Sequence, residues 1–185
     1  TPKPSSAASD VYKRQQVNRG TVSYTVAVNS PTRILMLRHG QSEWNAMGRW
    51  QGQADIELTD LGYEQARRAT EKLGMFDAVI SSDLRRAYMT ATIISNGLGI
   101  GLMTPDVRLR ETHVGEWQGL THDQIERDWP GYLKEHKRPP DFETDDSIVE
   151  RVTNALVDLA TEFPASEVLC ICLLYTSPSP RDRQK

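Results

Sequence analysis

Arg33-Ile34-Leu35-Met36-Leu37-Arg38-His39-Gly40-Gln41-Ser42-Glu43-Trp44-Asn45 is the stretch on which the reading of this chain turns. Ile34 to Leu37 form a short continuous apolar run, which suits a strand buried in a parallel sheet. The run stops at Arg38-His39-Gly40, a polar and flexible turn at the strand's C-terminal end. An arginine offers a planar fork that fits two oxygens of a phosphate. A neighbouring imidazole can attack phosphorus and form a covalent intermediate that water later clears. Arg-His-Gly alone is a weak signal, because a bland surface turn accounts for it at least as well. The rest of the chain decides.

Downstream, Thr59 can cap a helix running to about Leu73, which Gly74 would end. Ala78-Val79-Ile80 reads as a second buried strand, stopping at Ser81-Ser82-Asp83, and a helix to about Asn96 follows, closed by Gly97. Thr121 with Gln124, and Ser147 with Glu150, have the spacing of capping boxes. The second pair would open a helix to about Phe163, on which Ile148, Val152, Leu156, Leu159 and Phe163 make an apolar stripe. Val168 to Ile171 is a third apolar strand. Strands alternating with helices argue for an α/β fold with a mostly parallel sheet covered on both faces. Working residues in such sheets gather outside the strands' C-terminal ends. His39, Ser82 to Arg86 and whatever follows Ile171 would meet there.

Two further segments lift the first. Ser81 to Ala91 places Arg85 and Arg86 at a helix N-terminus, which favours anions through its free N–H groups and dipole. Being adjacent, the two arginines point in different directions, so only one reaches a common site. Taken alone, the pair reads as a solvated basic face. Arg108 to Leu120 reads as a strand end and a loop carrying Glu111 and Glu116. An acid helps to expel an alkoxide from a phosphate ester, and a glutamate beside a phosphate dianion has its pKa raised by like charge.

Together these segments resemble the phosphoglycerate mutase-like histidine phosphatases, over about Arg33 to Ile171. The family element Leu-x-Arg-His-Gly-Gln-x-x-x-Asn corresponds to Met36 to Asn45, and it is a specific match apart from its first position. The resemblance implies a three-layer α/β/α sandwich with a mostly parallel sheet, incomplete at the C-terminus. It implies a metal-independent phosphomonoester hydrolase with no cofactor. His39 would be phosphorylated, Arg38 and Arg86 would grip the phosphate, and Glu111 would donate and accept the proton. Gly40, Gln41, Ser42, Glu43, Trp44, Asn45 and Gln51 would complete the binding pocket. Ser81 to Ala91 with Arg108 to Leu120 look most like actinobacterial phosphatases acting on a sugar-linked phosphoglycerate. The expected partner is a small phosphorylated metabolite, and the assembly, if any, a homodimer. The alternative is mutase-type phosphoryl transfer, and for this chain as written the expected state is an inactive fragment lacking the second catalytic histidine. The family carries a second histidine just after its last core strand, where this sequence has Leu173.

Other residues have blander readings. His113 could help to orient the site, whereas His122 and His136 read as surface histidines. The tryptophans read as core or pocket wall, with Trp117 the best placed to touch substrate. Lys134 to Pro140 reads as a loop over the site that tunes substrate choice. Asp55, Asp60 and Asp145-Asp146 have no metal-site pattern.

The totals agree. The chain has 185 residues, enough for one ordinary domain, and a net charge of -3 that gives no general attraction for nucleic acid or membrane. No apolar run approaches the roughly 18 residues of a membrane span, and no secretory signal is evident. Cys170 and Cys172 lie too close together to staple a domain and read as unpaired thiols. A soluble cytoplasmic protein is the default expectation.

The ends read differently from the middle. Thr1 to Gln15 and Tyr175 to Lys185 lack apolar periodicity, and the ordinary reading is a pair of disordered tails. The genetic code offers a sharper one. Asp10 to Gln15 can be encoded by a string whose reverse complement, with its first base closing the Ile171 codon, encodes Cys172 to Thr176. That string resembles the transposase end of sequencing-library adapters. We therefore expect residues 1–15 and 172–185 to be non-native tails, 16–31 an N-terminal segment without a firm assignment, and 32–171 the phosphatase-like domain.

Overall fold

The computed structural model describes the chain at residues 12–18, 21–27 and 31–172, with side chains from residue 31 onward. Its strands are β1 (Tyr12–Asn18), β2 (Thr21–Ala27), β3 (Arg33–Arg38), β4 (Ala78–Ser81) and β5 (Glu167–Cys172). Its α-helices are α1 (Glu43–Ala46), α2 (Asp60–Thr70), α3 (Arg85–Leu98), α4 (His122–Asp128) and α5 (Asp145–Glu162). The three apolar runs form one parallel sheet in the order β3-β5-β4. Leu35 stands opposite Leu169, and Val79 opposite Leu169 from the other side.

Side chains alternate across a strand, so each strand feeds two separate cores. Ala78, Ile80, Val168, Cys170 and Cys172 pack against Ala155 and Leu159 of α5. Val79, Leu169 and Ile171 face the other way, onto Ala87, Ala91 and Ile94 of α3. Helices on both faces make the three-layer α/β/α arrangement expected. A third, smaller core lies away from the sheet. There Val114, Trp117 and Ile125 are buried with Trp50, Trp129, Tyr132 and Phe142 packed around them.

Local expectations fared unevenly. Thr59 caps α2 through its side chain, but the helix stops at Thr70, before Gly74. Gly97 lies inside α3, whose cap is Gly99 in the left-handed conformation at φ 69°. The Thr121–Gln124 capping box forms as read. The Ser147–Glu150 pair does not open a helix: Thr144 caps α5, accepting from the Ser147 N–H, and Ser147 is already inside. Arg108 to Leu120 contains no strand. It takes in the end of one short 3-10 turn, Val107–Leu109, and the whole of another, Gly115–Trp117.

At the N-terminus, β1 and β2 form a two-stranded antiparallel sheet with Tyr12 opposite Ala27. This hairpin crosses the boundary drawn at residue 15. At the other end β5 runs one residue past the boundary expected at Ile171, with Cys172 buried opposite Arg38. Residues 1–11, Leu173 and the remainder of the expected C-terminal tail lie outside the described residues.

Candidate active site

Because the sheet is parallel, β3 and β4 release their next residues at the same edge. His39 and Gly40 follow β3 and are both buried. The Gly40 N–H donates to the Thr90 hydroxyl at 3.1 Å, and that hydroxyl donates to the Arg86 carbonyl at 2.8 Å. Gly40 also passes against Gly62 of α2. A Cβ on Gly40 would meet the Gly62 carbonyl, and a Cβ on Gly62 would meet the Gln41 carbonyl, so neither position has room for a side chain.

His39 is 8% exposed. Its Nδ1 lies 2.5 Å from the Gly40 carbonyl oxygen. Burial, then the Arg86 and Arg38 charges, hold its pKa down at about 3, against a partly opposing pull from that carbonyl. The ring is therefore neutral at neutral pH. A carbonyl only accepts, so the ring proton sits on Nδ1 and the lone pair is on Nε2.

The adjacent arginines diverge as their helical spacing requires. Arg86 is fully buried, and its guanidinium donates to the carbonyls of Ala54 at 2.6 Å and Gly52 at 2.8 Å. Its Nε has no hydrogen-bond partner among the described residues. Burial lowers its pKa to about 10, partly offset by the Glu111 and Asp55 carboxylates, so it remains a cation at neutral pH. Arg85 instead lies half in solvent, paired with Glu57, and its N–H donates to Asp55 at 2.6 Å.

Glu111 is partly buried, and its carboxylate accepts from the Thr112 N–H at 2.8 Å. Burial pushes its pKa above the ordinary carboxylate value, against the opposing Thr112 N–H, Arg86 and Arg38. The residue before it is anchored. Arg110 donates through both ends of its fork to Asp83, from Nε at 2.8 Å and from Nη2 at 2.5 Å. That pairing, with Asp83 following β4, was not visible in the sequence, although both residues lie in the segments singled out there.

The remaining residues of the motif are built into local structure. Ser42 caps α1, with Asn45 completing a capping box, and the Ser42 hydroxyl donates to Gln51 Oε1 at 2.6 Å. Gln41 is tied to α2: its side chain accepts from the Thr59 hydroxyl at 2.9 Å, and its N–H donates to Gln65 at 2.8 Å. Glu43 is exposed, and Trp44 packs over Gly119.

Two expectations are corrected. Trp117 is 2% exposed and packs edge-on against Trp50 and Phe142, so it is core and not a substrate contact. His113 is exposed and engages the Asp141 carbonyl at 2.8 Å, orienting that loop and not the Glu111 carboxylate. Among the described residues no group of three or more His, Cys, Asp or Glu is placed to hold a metal ion. No helix there is long and apolar enough to cross a membrane.

The charges of Arg38 and Arg86 act on both His39 and Glu111. A neutral imidazole, two guanidinium cations and a carboxyl whose pKa burial raises can serve nucleophilic and acid–base chemistry on an anionic substrate. The family profile of the histidine phosphatase superfamily (branch 1) matches residues 34–172, and the chain belongs to that family.

Among curated proteins the chain is 52% identical over 101 residues to a glucosyl-3-phosphoglycerate phosphatase of Mycobacterium tuberculosis, a match covering 54% of this chain and 45% of that one. The chain thus spans less than half the length of that relative. It is 33% identical to a metal-independent phosphoserine phosphatase of Arabidopsis thaliana over 150 residues, covering 76% of this chain and 63% of that one. Among solved structures it is similar to a mycobacterial glucosyl-3-phosphoglycerate phosphatase in complex with VO3. That match has a TM-score of 0.70 and 39% identity, covering 75% of this chain and 74% of the other.

Proposed function

We propose that this protein is a phosphomonoester hydrolase working through a phosphohistidine on His39, with a sugar-linked phosphoglycerate or another small phosphorylated metabolite as substrate. The observation that carries the reading is the state of His39. Its Nδ1 is committed to the Gly40 carbonyl and its ring is held neutral, which leaves Nε2 as a nucleophile. In the first step Nε2 bonds to phosphorus as the ester P–O bond breaks, and Glu111 gives its proton to the departing alkoxide. In the second, water attacks phosphorus, the P–N bond breaks, and the water proton returns to Glu111. Arg38 and Arg86 neutralise the phosphoryl oxygens in both steps, where fixed charges are worth most. Gly40, Gln41, Ser42, Glu43, Trp44, Asn45 and Gln51 line the binding pocket. The sugar-linked substrate class rests on the mycobacterial relative's name and the 52% identity to it. The same reading has the protein act in the cytoplasm, with neither nucleic acid nor membrane as partner.

The test is a panel of phosphate esters, assayed for inorganic phosphate and for label on the protein. Phosphate release, with acid-labile phosphate on His39 that disappears in His39→Ala, is the expected result. Release of none from any ester, or full turnover by His39→Ala, would sink the reading. Conversion of 3-phosphoglycerate to its 2-isomer without phosphate release would point to a mutase instead.

A further inference from the structure

We infer that Arg151 is the positioning residue for Glu111, fixing the backbone on which the proton donor stands; this rests on the proposed role of Glu111. Arg151 lies on α5, and its side chain is 18% exposed. Its Nη1 donates to the carbonyls of Arg108 and Arg110, each at 2.7 Å, and its Nη2 donates to the carbonyl of Glu111 at 3.2 Å. The same guanidinium grips Glu143, from Nε at 2.6 Å and from Nη2 at 2.9 Å. A guanidinium has five N–H donors, and here every one is committed.

The arrangement answers a need of the local chain. Glu111 follows a 3-10 turn and sits in no helix or strand, so no ladder fixes its backbone or satisfies those carbonyls. Arg151 supplies the missing donors. Glu143 in turn is held by the Ser147 hydroxyl at 3.0 Å and the His113 N–H at 3.1 Å, so it grips Arg151 from one side and the far end of the Glu111 loop from the other. Gln53 adds a further donor to the Glu111 carbonyl at 3.1 Å. A lysine carries three donors on one nitrogen and cannot span three carbonyls and a carboxylate at these separations. Misplacing a reacting group by about 1 Å costs on the order of 100-fold in rate.

The experiment compares the full chain with Arg151→Lys and with Glu143→Gln. Amide hydrogen exchange at Thr112, whose N–H donates to the Glu111 carboxylate, is followed beside Val79 and Leu169 in the sheet. The Glu111 carboxyl is titrated by carbon NMR. Expected in both variants is Thr112 exchange faster by about 10-fold or more with the sheet amides unchanged. The Glu111 titration should move down towards the ordinary carboxylate range as the loop admits water. Turnover of alkyl phosphates should fall by about 10- to 100-fold with KM within about twofold. Aryl phosphates, whose leaving group needs no acid, should lose little. A folded Arg151→Lys with Thr112 exchange and Glu111 titration unchanged overturns the inference. Should neither variant fold, the guanidinium protons of Arg151 in the unaltered chain decide: slow exchange supports the clamp, and exchange at the solvent rate overturns it. Failure of the underlying reading looks different. Glu111→Gln hydrolysing alkyl esters as fast as the parent overturns the acid role itself, and with it the functional half of the inference, whatever Thr112 shows.

Discussion

A histidine's protonation depends on what surrounds it, and His39 is surrounded by protein and two cations. Folding lowers its pKa from 6.5 to about 3, so the unfolded chain takes up the proton first. Stability from this residue is intact above the unfolded pKa and is lost as pH falls from about 6.5 towards about 3. The slope approaches about 1.4 kcal/mol per pH unit. Glu111 has the opposite sense, because its raised pKa makes the folded state the better proton acceptor. The difference between the parent and His39→Gln therefore isolates the histidine. Urea unfolding at a series of pH values should show the parent losing stability relative to His39→Gln below about pH 6, and the two running parallel above about pH 7. Equal slopes throughout would mean that the imidazole is solvated in the folded state. The residue types of the candidate site were legible in sequence, since Arg38, His39, Arg86 and Glu111 stand in recognisable segments. Arg151, Thr90 and Asp83 were not, because a side chain that serves a residue distant along the chain leaves no local pattern.

The elements were legible where a single cap governs them and misread where two candidates compete. Thr121 with Gln124 closes its box as the spacing says. At α5 the spacing Ser147–Glu150 was equally good, yet Thr144 takes the cap and Asp145 and Asp146 occupy the first turn, where carboxylates meet the positive end of the helix dipole. Thr144→Ala should cost about 1 kcal/mol, as loss of an N-cap usually does. Ser147→Ala, which removes only an exposed hydroxyl contact to Glu143, should cost less than half of that. Chemical denaturation of the two variants side by side checks this, and the reverse order would restore Ser147 as the cap. Glycine was a poor guide to helix ends. Gly74 lies beyond the end of α2, and Gly97 is absorbed into α3 because Gly99 already supplies the left-handed turn.

Across the whole molecule, the sheet separates residues that the sequence leaves equivalent. Leu35 and Ile171 both sit in continuous apolar runs, but Leu35 is 46% exposed on β3 while Ile171 has no exposure on β5. Position in the order β3-β5-β4 makes the difference, since β5 has a strand on each side and a helix over each face. Ile171→Ala should therefore cost about 2–5 kcal/mol in urea unfolding. Leu35→Ala should cost under about 1 kcal/mol, and comparable losses would show that the exposed face of β3 is covered in solution. Trp117 teaches the same lesson, since aromatic composition could not tell a pocket wall from the centre of a separate small core. The sequence by itself determined the alternation of strand and helix, and the motif of arginine and histidine at the first strand's end. Both are properties of neighbours along the chain, where periodicity and side-chain chemistry act over a few residues. Only the tertiary structure decided which arginine is buried, which tautomer His39 adopts, and that Arg151 and Asp83 hold the Glu111 segment. Those depend on burial and on contacts between residues tens of positions apart, which no local pattern encodes.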